Sequence, residues 1–170
     1  MRRAAAGSRT AEEKTVRAEE LVSLMNREFS AGRPLQLTVT GYSMGPCLKH
    51  LRDQVVLVPP EKRALKRGEI VFFRRTDGKY VLHRILRAEK KGVFVVNGDA
   101  QAWTEDIRKE QILAAAKAVI RKGRYISCDG KRYRIFVALW QMLFPVRGIM
   151  IRIASARWRF RERNGRTEKK

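Results

Sequence analysis

The sequence predicts a mainly β (α+β) protein: a compact antiparallel barrel or coiled sheet with an N-terminal helix and a C-terminal pair of amphipathic helices. Three observations lead there. Short runs of β-branched and aromatic residues recur from about residue 35 to residue 127. Tight-turn dipeptides such as Asp77-Gly78 and Lys91-Gly92 separate them. Helical periodicity is confined to the two ends of the chain. The chain divides accordingly into 1–34 (tail and helix), 35–130 (β domain) and 131–170 (basic amphipathic helices and tail).

In order, residues 10–31 form the first expected helix. Val16, Leu21, Leu24, Met25 and Phe29 follow helical spacing, with Thr10 as N-cap and Gly32 as stop. Its apolar stripe is expected to pack on the edge of the domain. Arg33-Pro34 then breaks the chain ahead of a β-type run that reaches Thr40 and ends at Gly41. Val55–Val58, Glu69–Arg75, Tyr80–Ala88 and Val93–Asn97 read as strands. The segment 112–121 is ambiguous, since its three alanines suit a helix and Val119-Ile120 suits a strand. A last short strand follows over Arg124–Cys128. The segment 134–144 carries Phe136, Leu139, Trp140, Leu143 and Phe144 on one helical face, Pro145 interrupts, and 149–163 places Ile149, Ile153, Ala156 and Phe160 among arginines.

The 170 residues suffice for one ordinary domain with appendages. A net charge of +21 draws the protein toward anionic surfaces, either membrane or nucleic acid. Cys47 and Cys128 show neither metal-type spacing nor a disulfide framework, so reduced thiols are expected, and neither a metal nor a cofactor. No secretory signal and no apolar run long enough for a membrane anchor precedes Ser43, which predicts a cytoplasmic or peripherally membrane-associated protein.

Ser43 sits where a β-type run breaks at glycine, a position that lifts a side chain out of the ladder. Serine is a poor nucleophile without a base, and the chain has two histidines, His50 and His83. His83 lies in an extended run that fixes it beside another strand. His50, in a polar Lys49-His50 pair, reads as a surface residue. Cys47 reads as small core filler.

These residues fall in five ordered blocks: Gly41-x-Ser43-Met44-x-Pro46, then Asp53 with Val55 and Val58, Lys66–Phe73, Val81-Leu82-His83-Arg84-Ile85 and Asn97-Gly98-Asp99. Over about residues 36–121 the chain resembles the catalytic domain of the signal peptidase I superfamily of serine endopeptidases, which includes the LexA-like self-cleaving repressors. Bacterial leader peptidases and repressors place a lysine base before the arginine of the fourth block. His83-Arg84 resembles instead the endoplasmic-reticulum-type enzymes, which use histidine there.

The resemblance implies the signal-peptidase type of β fold and a serine endopeptidase that cleaves a leader or signal-type precursor beside small residues. Ser43 would be the nucleophile and His83 the general base. An acid a few positions beyond Gly98-Asp99 would orient His83. Asp106 is the first choice, Glu105 the second, and Asp99 is expected to brace the local turn. Gly41, Met44 and Pro46 form the substrate-side turn, with the Ser43 N–H as an oxyanion donor. Arg84 pairs with a carboxylate or faces solvent, and Trp103 lines the groove or the core. The layout departs from the usual one in lacking a membrane span before the nucleophile. The rival reading is an inactive relative that binds anionic membrane or nucleic acid through its basic surface. Self-cleavage is a further rival, but it goes with lysine at the position of His83.

At the C-terminus, Pro145 and Arg147 argue against a membrane span. The Trp, Phe and Arg content of 134–163 suits an amphipathic element lying on an anionic membrane, or a helix pair capping the β domain. A nucleic-acid partner is the weaker expectation, since no aromatic platform or helix-turn-helix accompanies the charge.

Overall fold

The computed structural model describes residues 18–146. Eight strands form one antiparallel, curled sheet: β1 (Leu35–Thr38), β2 (Gln54–Val58), β3 (Ile70–Arg74), β4 (Tyr80–Ala88), β5 (Val93–Asn97), β6 (Glu105–Arg108), β7 (Ile112–Arg121) and β8 (Arg124–Ser127). Helix α1 (Ala18–Ser30) precedes them and α2 (Lys131–Met142) follows. The strand order is β1-β2-β7-β3-β4-β5-β6. β8 takes the edge of β7 that β3 leaves free, pairing Ala118 with Ser127 through Arg121 with Arg124. The mainly β, antiparallel expectation therefore holds.

Pairing irregularities curl the sheet. The register slips between Val56 and Leu57 against β7, between Phe72 and Phe73 against β7, and between Ile85 and Arg87 against β5. An extra residue on one strand bends it and increases its twist. As a result the middle of the sheet is covered on both faces. Alternate residues of β3 enter two cores: Ile70 and Phe72 pack with Met25, Val55 and Leu57, whereas Val71 and Phe73 pack with Ile85, Phe94 and Ile107.

The ambiguous segment 112–121 is strand β7, the central strand. Ala114, Ala115, Ala116 and Ala118 are fully buried between its neighbours. Small side chains there let the two layers close on the strand, and this packing overrides their helical preference. Two hairpins turn on Lys-Gly dipeptides, one of them the expected Lys91-Gly92. Lys91 and Gly92, and likewise Lys122 and Gly123, all have positive φ, the requirement of a type I′ turn at both central residues.

Helix α1 packs Leu21, Leu24, Met25 and Phe29 against the first core. Gly32, at φ +72, lets the chain turn so that Arg33 N–H reaches the Glu28 carbonyl. The expected start of this helix, with Thr10 and Val16, lies outside the described residues, as does the second C-terminal helix over 149–163. Helix α2 packs with a different face from the one its pattern suggested. Tyr133, Val137 and Gln141 turn to the sheet, while Phe136, Leu139 and Leu143 point away. Among the described residues no helix is long and apolar enough to cross a membrane.

Candidate active site

Residues 39–53 form the loop between β1 and β2, and two sets of bonds and a buried plug hold it. Asp53 ties its end: its carboxylate accepts the Lys49 N–H at 2.9 Å and its carbonyl accepts the Val39 N–H at 2.9 Å. His50 ties its beginning, with Nδ1 accepting the Gly41 N–H at 3.0 Å where Gly41 adopts φ +85. His50 is thus a brace of the turn, a role with no signal in the sequence beyond its proximity. Met44, Cys47 and Leu48 plug the loop into the core. Gly45-Pro46 is a cis peptide bond, and Pro46 is exposed.

Ser43 stands at the crest of this loop, half-buried. Its carbonyl accepts the Ala100 N–H at 2.7 Å. Gly98 passes so close that a Cβ there would lie 2.7 Å from the same oxygen, which explains in steric terms why the Asn97-Gly98-Asp99 block carries glycine. Asn97 supports this second loop from beneath, its amide donating to the carbonyls of Gln101 and Trp103. The Ser43 N–H and Oγ make no hydrogen bond to another described residue.

His83 projects from β4, opposite Val71 of β3, and is 1 % exposed. It shares a cavity of about 270 Å³ with Ser43, Met44, Arg75 and the strand ends Leu37–Thr40 and Tyr80–Leu82. Gly41 and Pro46 lie outside that lining. The Phe73 and Trp103 rings approach His83 edge-on at 5.9 and 6.2 Å. Trp103, half exposed, thus stands beside the site.

The carboxylate facing His83 belongs to Glu105. Its Oε1 lies 2.7 Å from His83 Nδ1, near enough to bond but off the line of a straight N–H···O contact. Such contacts commonly align only when substrate is bound. Arg75 fixes the same carboxylate with two bonds, 2.6 Å to Oε2 and 2.7 Å to Oε1, and lies over the Trp103 ring at 5.5 Å. Asp106 is the next residue of β6, so its side chain leaves by the other face of the strand and is exposed. Period-two geometry therefore brings the second-choice acid to His83 and carries the first choice away.

The Asp99 carboxylate, expected to brace its own turn, instead takes up Arg84 and Trp140. The Arg84 guanidinium donates to Asp99 at 2.7–3.2 Å and to the Gly68 carbonyl at 2.8 Å, with both residues buried. Tyr133 and Trp140 of α2 complete the cluster through Arg84 Nη1 and Asp99 Oδ1. His83 and Arg84, adjacent on β4, thus serve opposite faces: one faces the cavity and the other the body of the fold.

Electrostatics favour a neutral imidazole. Burial lowers the His83 pKa below its ordinary 6.5 and the Arg75 charge adds to this, while Glu105 offsets only part. Burial pushes the Cys47 thiol up to about 12 and the Cys128 thiol to about 11, so neither is a ready nucleophile. A larger cavity of about 470 Å³ lies under α2, and the thiol in its lining is that of Cys128. Among the described residues no three His, Cys, Asp or Glu side chains converge as a metal site.

Residues 1–120 match the family described as Peptidase S24-like. The chain belongs to that family. No curated protein and no solved structure gives a significant match. The Peptidase S24-like match takes in Ser43, His83, Asp99, Glu105 and Asp106 and ends within β7, before α2. Membership indicates a hydrolase of the serine-peptidase type.

Proposed function

We propose that the protein is a serine endopeptidase that cleaves a leader or signal-type precursor peptide. Ser43 is the nucleophile, His83 its general base, and Glu105 the residue that orients His83. The observation that carries this reading is the placement of Ser43 and His83 on one small cavity with a carboxylate at Nδ1 of the histidine. Glu105 occupies the Nδ1 side, so Nε2 is the nitrogen left to serve the serine.

The chemistry follows from those roles. Nε2 takes the Ser43 proton as Oγ bonds to the scissile carbonyl carbon. The resulting imidazolium, stabilised by Glu105, passes that proton to the leaving amine as the C–N bond breaks. Water, deprotonated by the same nitrogen, then releases the acyl group and restores Ser43. The Ser43 N–H, without a protein partner among the described residues, is placed to bind the oxyanion. A lysine base must be desolvated to lose its proton at neutral pH. A histidine starts near pH 6.5 and needs little adjustment.

The cavity also has a way to hold an extended peptide. β5 pairs with β4 only from Arg84 onward. Among the described residues Tyr80–Leu82 therefore keep one backbone edge without a strand partner beside the cavity, and β1 is an edge strand on its other wall. A substrate segment laid along either edge would gain main-chain hydrogen bonds without help from its side chains. The small volume favours small residues beside the cut.

Hydrolysis of an unstructured peptide library rich in small-residue pairs, followed by mass spectrometry, tests this. Ser43→Ala and His83→Ala are each expected to lower cleavage by at least about 10³-fold, Ser43→Ala with unchanged thermal unfolding. Cleavage that survives Ser43→Ala contradicts the assignment.

A further inference from the structure

Helix α2 has two apolar sides, and among the described residues only one is covered. Tyr133, Val137 and Gln141 are covered by the sheet and by the Lys66–Glu69 turn, and Gln141 donates to the Ile85 carbonyl at 2.8 Å. On the other side Ile135, Leu139 and Met142 follow helical spacing and are 61, 57 and 71 % exposed, flanked by Phe136 and Leu143. A contiguous apolar face of this kind marks an interaction surface rather than ordinary scattered exposure.

We propose that this face of α2 docks the protein onto an anionic lipid surface, lying in the plane of the interface. The charge around it selects the occupant. α2 carries Lys131, Arg132 and Arg134 and no acid. Lys66, Arg67 and Arg134 line the same cavity as Met142, so cationic groups adjoin the apolar ridge. Between residues 131 and 163 the sequence has nine basic residues and a single acidic one, Glu162. An apolar stripe edged by cations is the pattern of a helix that sinks its apolar side among acyl chains and pairs its flanks with acidic headgroups. A nucleic acid would use the cations but would gain nothing from bare Ile135, Leu139 and Met142.

The attachment of the helix gives the docking a consequence. Tyr133 and Trp140 bond to Arg84 and Asp99, whose neighbours in sequence are His83 and the Gly98 turn under Ser43. A docked α2 would hold the cavity at a fixed orientation to the membrane. The inference does not depend on catalysis and is tested without it.

Flotation of the full chain with vesicles of phosphatidylcholine, with and without phosphatidylglycerol, is the experiment. Wild type is expected to float with the anionic vesicles only. The Phe136→Glu/Leu139→Glu variant, and Met142→Glu separately, are expected to lose at least about tenfold in partitioning with unchanged circular dichroism and unfolding midpoint. Four results would overturn the proposal. One is no flotation of wild type, and another is equal flotation of both variants, which would assign binding to charge elsewhere. A lipid-free dimer dissolved by the same substitutions would assign the face to a second copy. Retention on duplex DNA lost in the same variants would assign it to nucleic acid.

Discussion

His83, the base of the proposed mechanism, is set by β4 in a buried position beside Glu105 and Arg75. Burial disfavours its charged form, and Arg75 spends much of its own charge on Glu105 through two short bonds. The native protein therefore binds the His83 proton more weakly than the unfolded chain does. Stability from this site is full above about pH 6.5 and is lost as pH falls through the lowered native value. The contrast between the two neighbouring acids is the sharpest test at this scale. Glu105→Gln is expected to reduce kcat by about 10²- to 10⁴-fold, by removing the charge that orients and stabilises the imidazolium. Asp106→Asn, on the exposed face of β6, should leave kcat within about twofold. Steady-state kinetics on any cleaved peptide decides between them, and the reverse order would restore Asp106 as the partner of His83.

The elements converge on the loop pair that carries Ser43 and Gly98. Arg84 and Asp99 join β4, the 97–101 turn and α2 in one buried cluster. Asp99→Ala would leave a buried guanidinium without its carboxylate, at an expected cost of about 3–5 kcal/mol, measurable by urea unfolding. A loss below about 1 kcal/mol would mean that water reaches Arg84. Much of this level was legible in the sequence, because turn glycines and β-branched runs act locally: β2, β3, β4, β5 and two hairpin turns lie where those signals put them. β7 was not, since its alanines are explained only by the two strands that enclose it. β6 was missed because Glu105–Arg108 has a single buried apolar side chain, Ile107, to announce it. That omission also hid the face alternation that separates Glu105 from Asp106. The bond from His50 to Gly41 and the outward face of α2 depend on tertiary placement, which periodicity alone does not resolve.

Over the whole molecule, the Arg84–Asp99 cluster ties β4 and the 97–101 turn, which carry His83 and Gln101 of the cavity lining, to α2. The excess of cations affects solubility and anionic attraction rather than the fold. The family match over residues 1–120 includes Ser43, His83 and Glu105 and stops short of α2. The measurement that tests the account most directly is the rate at which a serine-directed acylating probe modifies the full chain, read by intact mass across pH. The account predicts one adduct, on Ser43, absent from Ser43→Ala and His83→Ala, with a rate that persists from neutral pH to below 6.5 before falling. Failure of two chemically different probes to form any adduct, or an adduct that survives Ser43→Ala, would contradict it.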